Sequence, residues 1–121
     1  MKNNLIVIGG PTGNTVTQEL NEYLPIYFDE KVGWSLFSKA SGKRYQDDLA
    51  GVIIKMDNPF DKEKKILLLA GSRTRGTMAA VMALTKHAEE IFKANNDIIS
   101  LVVHGLDSDG DGLPDDAKIV E

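Results

Sequence analysis

Two stretches decide the fold: Leu5-Ile6-Val7-Ile8-Gly9-Gly10-Pro11-Thr12-Gly13-Asn14 and Ile66-Leu67-Leu68-Leu69-Ala70-Gly71-Ser72-Arg73-Thr74-Arg75-Gly76-Thr77. Each is a short apolar run that stops at glycine and passes into a helical pattern. A continuous apolar run bounded by glycine predicts a strand buried on both faces. After the first run, Asn14 or Thr15 is placed to cap a helix carrying Val16, Leu20 and Leu24 on one side. After the second, Ala80, Leu84, Ala88 and Ile91 form the apolar stripe of a helix from about Thr77 to Lys93, ended by Asn95-Asn96. Two such units imply parallel strands with both glycine turns at one edge of the sheet.

Working outward, the pattern between Ile26 and Met56 shortens. Trp34, Leu36 and Ser38 alternate with Ser35, Phe37 and Lys39, and Ser41-Gly42-Lys43 supplies a turn towards Arg44-Tyr45. Gly51 to Met56 is a further apolar strand, broken by Asn58-Pro59-Phe60-Asp61. Ile98 to Val103 and Lys118 to Val120 complete the set. The prediction is one α/β domain over residues 1–121. It has a mixed, mostly parallel sheet, two main helices, a β-hairpin in the middle and an acidic calcium-type loop at 107–118.

The bulk properties narrow the function classes. At 121 residues the chain holds one core and not two. A formal charge of −4 argues against nucleic acid, whose phosphates require clustered Lys and Arg. The one basic cluster, Lys62-Glu63-Lys64-Lys65, reads as a solvated turn. Cysteine is absent, which removes disulfides, thiolate metal sites and thiol nucleophiles. The apolar run after Met1 is too short for a signal peptide, and no stretch approaches the ~20 apolar residues of a membrane span. No membrane insertion by this segment is therefore predicted, and an extracellular location requires the chain to be a piece of a longer one.

Asp107-Ser108-Asp109-Gly110-Asp111-Gly112-Leu113-Pro114-Asp115 matches the first nine positions of an EF-hand-type calcium loop. Carboxylates at positions 1, 3 and 5 converge only when the chain curls around an ion. Gly112 at position 6 permits the curl, the Leu113 carbonyl stands at position 7, and Asp115 at position 9 binds directly or through water. Position 12, normally a bidentate Glu, is Lys118. Asp116 and Glu121 are the available substitutes. Without that Glu the expected affinity falls in the range of roughly 10⁻⁴–10⁻³ M typical of extracellular modules. The competing reading is an acidic turn, since Asp-Gly pairs favour turns in any case.

The two glycine turns also suggest an anion site built from Gly10, Thr12, Gly13, Ser72, Arg73 and Arg75, with helix N-termini presenting free N–H groups. Neither turn is a full nucleotide motif. Gly71 and Gly76 have Walker A spacing, but Thr77-Met78 stands where Lys and Ser/Thr belong. The competing reading is that glycine simply lets a strand turn into a helix. Candidates for catalysis are sparse: Ser72 has no nucleophile elbow around it, His87 falls on a helix face, and His104 falls at a strand end. Asp29-Glu30 and Asp47-Asp48 show no partner in sequence. An enzyme is therefore the less favoured reading.

With these segments in view, the chain resembles the Rossmann-like domain of archaeal S-layer and S-layer-like surface proteins. The resemblance rests on Leu5–Asn14, on Leu67–Thr77 with its Ala-Gly-Ser-Arg-Thr-Arg-Gly-Thr helix entry, and on Val102 to Asp115. It implies a structural domain of a cell-surface protein, without known catalytic residues; the expected partners are calcium at the acidic loop, and further copies of the chain or another surface-layer protein. The expected location is therefore the cell surface if the domain is excised from a longer chain, and the cytoplasm if the chain is complete. The alternative is a small domain or enzyme binding an anionic ligand at residues 9–15 and 71–77.

Overall fold

The computed structural model describes residues 4–93 and 98–121. The chain forms β1 (Leu5–Ile8), α1 (Thr15–Leu20), β2 (Ile26–Asp29), β3 (Ser35–Ser38), β4 (Arg44–Tyr45), β5 (Ala50–Asn58), β6 (Asp61–Gly71), α2 (Thr74–Phe92), β7 (Ile99–Leu106) and β8 (Asp116–Ile119), with short 3-10 turns at Asn21–Tyr23 and Glu30–Val32. The proposed helix stop at Asn95-Asn96 lies outside the described residues.

A five-stranded sheet in the order β1-β6-β5-β7-β8 forms the centre, and a three-stranded sheet, β2-β3-β4, forms a second layer. The mixed α/β domain with two helices is as expected. The mostly parallel sheet is not. Among the described residues only β1 and β6 run parallel, with Leu5 opposite Ile66 and Ile8 opposite Leu69. The β6–β5, β5–β7 and β7–β8 pairs are all antiparallel. The reason lies at Asn58-Pro59-Phe60-Asp61, read from sequence as a break. It is a tight hairpin turn in which the Asn58 side chain accepts the Phe60 N–H at 2.9 Å, so β5 folds straight back onto β6. Lys62-Glu63-Lys64-Lys65 is correspondingly strand and not a turn. The central hairpin became a three-stranded sheet because Gly42, at φ +71°, turns Ser38 back towards Lys43.

The sheet separates two cores. On one face Val52, Ile54, Ile66, Leu68 and Val102 pack against Leu20, Leu24, Ile26, Phe28 and Leu36 from α1 and the small sheet. On the other, Ile53, Leu69, Ile99 and Val103 pack against Ala79, Ala80, Ala83 and Ile91 of α2. The three alanines let the helix axis approach the sheet closely, and each larger buried side chain stabilises the fold by about 1.5–3 kcal/mol. The strand Leu5–Ile8 was expected to be buried on both faces. As the sheet's edge it buries only Val7, leaving Ile6 and Ile8 exposed, because α2 lies over the middle of the sheet and stops short of β1.

Candidate functional site

The two glycine turns meet. Because β1 and β6 are parallel, Gly9 to Gly13 and Gly71 to Thr77 come together at the carboxyl ends of their strands, around a depression of about 240 Å³. The contact between them is backbone on backbone. A methyl group at Gly10 would sit 2.0 Å from the Gly71 carbonyl oxygen, one at Gly76 2.2 Å from the Ala50 carbonyl oxygen, and one at Gly51 2.2 Å from the Gly76 carbonyl oxygen. Gly13, by contrast, has open space around it. Side chains then tie the turns down. The Asn14 carboxamide oxygen accepts the Val16 N–H, its Nδ2 donates to the Ile8 carbonyl, Thr17 donates to Gly9, and Gly71 N–H donates to Thr77 Oγ1.

The proposed anion ligands do not all face that depression. Gly10, Thr12, Gly13, Ser72 and Arg73 line it. Ser72 Oγ donates to the Trp34 carbonyl at 2.5 Å, holding the small sheet to the turn. Arg75 is turned away, its guanidinium bonding to Asp48 and to the Gly112 carbonyl, both at 3.2 Å, and Arg73 approaches Asp48 at 3.9 Å. Asp48, which looked unpartnered in sequence, is the counter-ion of both arginines. No pattern within the sequence could link residue 48 to residues 73 and 75; only the packing of the β4–β5 connection against the start of α2 does so.

At the same end of the strands, beyond β5, the acidic loop joins β7 to β8. Its curl comes from Gly110 and Gly112, at φ +76° and +85°. Asp107 accepts the N–H groups of Gly110 at 2.9 Å and Gly112 at 2.7 Å, Asp109 accepts that of Asp111, and Asp115 accepts that of Ser108. One carboxylate oxygen each from Asp107, Asp109 and Asp115 lies within 4.8 Å of the others. Asp111 is not among the three; its Oδ1 accepts the Leu113 N–H at 2.8 Å. The Gly112 N–H leads in holding Asp107 below the usual carboxylate range. Asp109 is raised: the Asp111 N–H pulls it down, but the Asp107 and Asp111 carboxylates together with desolvation outweigh that bond. The crowding of the carboxylates thus splits their proton affinities.

Neither substitute for the missing position-12 Glu reaches the loop. The loop ends where β8 begins at Asp116, so Lys118 already lies in a strand, opposite His104. Asp116 bonds to His87 Nε2 at 2.9 Å. The carboxylate of Glu121 accepts hydrogen bonds from the hydroxyls of Ser38, Ser41 and Tyr45. What holds the loop is α2. Arg75 grips Gly112, Lys86 donates to the Asp115 carbonyl at 2.6 Å, and His87, where the backbone departs from helical geometry, meets Asp116. His104 bonds to Asp47 at 3.0 Å. Ser72, His87 and His104 thus have separate partners and are not brought together.

Against known proteins, the model of the family described as S-layer like, outer domain, matches residues 1–88. That stretch includes both glycine turns and ends before β7 and the acidic loop. An uncharacterized protein of Methanocaldococcus jannaschii is 32% identical over 87 residues, covering 71% of this chain and 17% of that relative's length. No solved structure matches. Among the described residues, no helix is long and apolar enough to cross a membrane.

Proposed function

We propose that this chain, which belongs to the S-layer like family, is a structural domain of a cell-surface protein whose acidic loop is stabilised by calcium. The family match over residues 1–88 carries the surface-layer role. The calcium reading is carried by a different observation, the convergence of Asp107, Asp109 and Asp115 in a loop whose own N–H groups fix the carboxylates. Calcium suits such a site because it accepts ~6–8 oxygen ligands in flexible geometry, with water filling what the protein omits. Three carboxylates without a bidentate Glu place the affinity at roughly 10⁻⁴–10⁻³ M, so the site fills where calcium is abundant, as it is outside cells. In that role the ion fastens β7 to β8 as a static clamp. The anionic-ligand alternative is weaker, since Asp48 engages both arginines on which it depends.

The test is calorimetric titration with calcium and magnesium of the wild type and of Asp107→Asn and Asp115→Asn variants. Saturable calcium binding that both substitutions abolish is the expected result. Magnesium should bind far more weakly, because it demands near-ideal octahedral geometry at about 2.0–2.1 Å. No heat and no thermal shift at millimolar calcium would reduce the loop to an acidic turn. Equal stabilisation by both ions would assign the effect to charge screening.

A further inference from the structure

The five-stranded sheet has two edges, and they are finished differently. At β8 the exposed Lys118 and the ion-paired Asp116 discourage another strand from pairing. No residue of β1 itself is charged, Lys55 and Lys65 line the recess beside Ile6, and Ile6 and Ile8 are 73% and 54% exposed. Leu5 and Val7 point into the core beneath α1, so Ile6 and Ile8 point to the α2 face, beside Leu67 and Leu69 of β6 and beyond the reach of the helix.

The backbone of β1 is bare along the same line. Gly9 N–H donates to the Leu69 carbonyl at 2.9 Å. By alternation, Leu5, Val7 and Gly9 turn their peptide groups towards β6, while Asn4, Ile6 and Ile8 turn theirs to solvent. The Ile8 carbonyl already accepts Asn14 Nδ2 at 3.2 Å. The edge therefore offers the Ile6 N–H and C=O, the Ile8 N–H and the Asn4 C=O. Cavities flank it on both faces: about 480 Å³ against Asn14 and Val16, and about 380 Å³ against Leu67 and Phe92. An added strand, whose side chains alternate between faces, would have a recess on each side.

We propose that β1 is a homotypic docking edge, on which a second copy of this chain lays its own β1 antiparallel about a twofold axis at Ile6. The free groups select this register. Ile6 opposite the partner's Ile6 exchanges two N–H···O bonds, and each Ile8 N–H meets the partner's Asn4 carbonyl, leaving Asn14 on the Ile8 carbonyl. The same register places Val7 opposite the partner's Leu5 on one face and Ile6 against the partner's Ile6 on the other, with no charged residue between Asn4 and Ile8 to oppose a like charge. The two sheets become one of ten strands. A four-residue edge buries less than the roughly 1,600 Å² of a standard interface, so the free dimer is weak and gains strength where many copies are held side by side. The proposal does not depend on calcium, because the acidic loop lies at the opposite edge.

Sedimentation of the wild type over rising protein concentration, in calcium and in chelator, should show a monomer–dimer equilibrium in both, abolished by Ile6→Lys with an unchanged circular dichroism spectrum. The protein has no cysteine, so single substitutions report the register cleanly. Residues paired across the axis have Cα atoms about 5.5 Å apart, inside the ~4.4–6.8 Å span of a disulfide. Ile6→Cys should therefore cross-link on mild oxidation. Ile8→Cys, roughly 14 Å from its symmetry mate at about 3.4 Å per residue, should not. A wild type monomeric at every concentration, a dimer surviving Ile6→Lys, or equal cross-linking at both positions would overturn the proposal. Calcium binding in a strictly monomeric protein would reject this edge and leave the metal reading standing.

Discussion

The paired glycine turns and the acidic loop are superficially alike: both follow a strand, both are rich in glycine, and both match fragments of ligand-binding motifs. Their construction is opposite. The turns are held by contacts between distant parts of the chain, with the backbones of residues 10 and 71 and of residues 50, 51 and 76 pressed together and the nearby arginines neutralised by Asp48. The acidic loop takes its curl from hydrogen bonds spanning two to seven residues, is braced from outside by Arg75, Lys86 and His87 of α2, and leaves three carboxylates facing one another. Glycine in the first region is there to be touched by backbone; in the second it is there to bend. A motif fragment thus gains meaning from what its small residues sit against.

Substitutions can break that contrast, starting where the effect is largest. Gly76 lies in the first turns of α2, where alanine would ordinarily favour the helix by about 1 kcal/mol. Here Gly76→Ala should destabilise by about 3 kcal/mol or more in urea unfolding, because its methyl would collide with the Ala50 carbonyl. A neutral or stabilising result would dissolve the packing account of the turns. Next in size, calcium at ~100 times Kd should add about 2.7 kcal/mol of stability to the wild type, read as a shift in melting temperature that Asp107→Asn removes.

The clasp around Glu121 offers a smaller, pH-dependent effect. Burial first, and then the Glu121 carboxylate, push the Tyr45 hydroxyl up to about 12 from an ordinary 10.0. A folded-state value above the unfolded one means that the stabilisation is complete below pH 10 and is lost as pH rises from 10 towards 12. Tyr45→Phe should flatten that part of the pH–stability curve, and an unchanged slope would show that the clasp contributes nothing. Smaller still, Asp109→Asn should raise stability slightly in chelator, by relieving the carboxylate repulsion that lifts Asp109, and lower it in calcium. The same sign in both conditions would disconnect the loop from any cation. At the bottom of the scale, Gly13→Ala should be nearly silent while Gly10→Ala, three residues away, is not. Equal damage would revive a ligand site that needs both glycines.

Much of the fold was legible because it is written locally. Apolar runs ending at Gly9 and Gly71 gave strands and turns, Asn14 gave the cap it indeed forms, and Ser41-Gly42-Lys43 gave a turn. What failed was pairing. Asn58 to Asp61 reads equally as an interruption or a hairpin, and that choice decides whether β6 has one parallel neighbour or two. The burial of β1 was misjudged for a related reason: Ile6 and Ile8 look like core residues until one knows the strand is last in its sheet. In the acidic loop the spacing located the three converging carboxylates, but no spacing shows that Asp116 belongs to His87 or that Glu121 belongs to Ser38, Ser41 and Tyr45. Those partners are 29 and 76–83 residues away.

The Glu121 clasp also bears on the order in which the chain is made. The small sheet's hairpins can form early, from residues near one another, yet Ser38, Ser41 and Tyr45 obtain their acceptor only when residue 121 is present. Likewise β1 has no partner until β6 exists. A chain emerging amino-terminus first therefore leaves its Leu-Ile-Val-Ile strand unpaired until β6 is made, and leaves three hydroxyls without this acceptor until residue 121 follows. Closing such long loops slows folding. The β1–β6 pairing and the Glu121 clasp thus close at different stages, and the clasp is the later of the two.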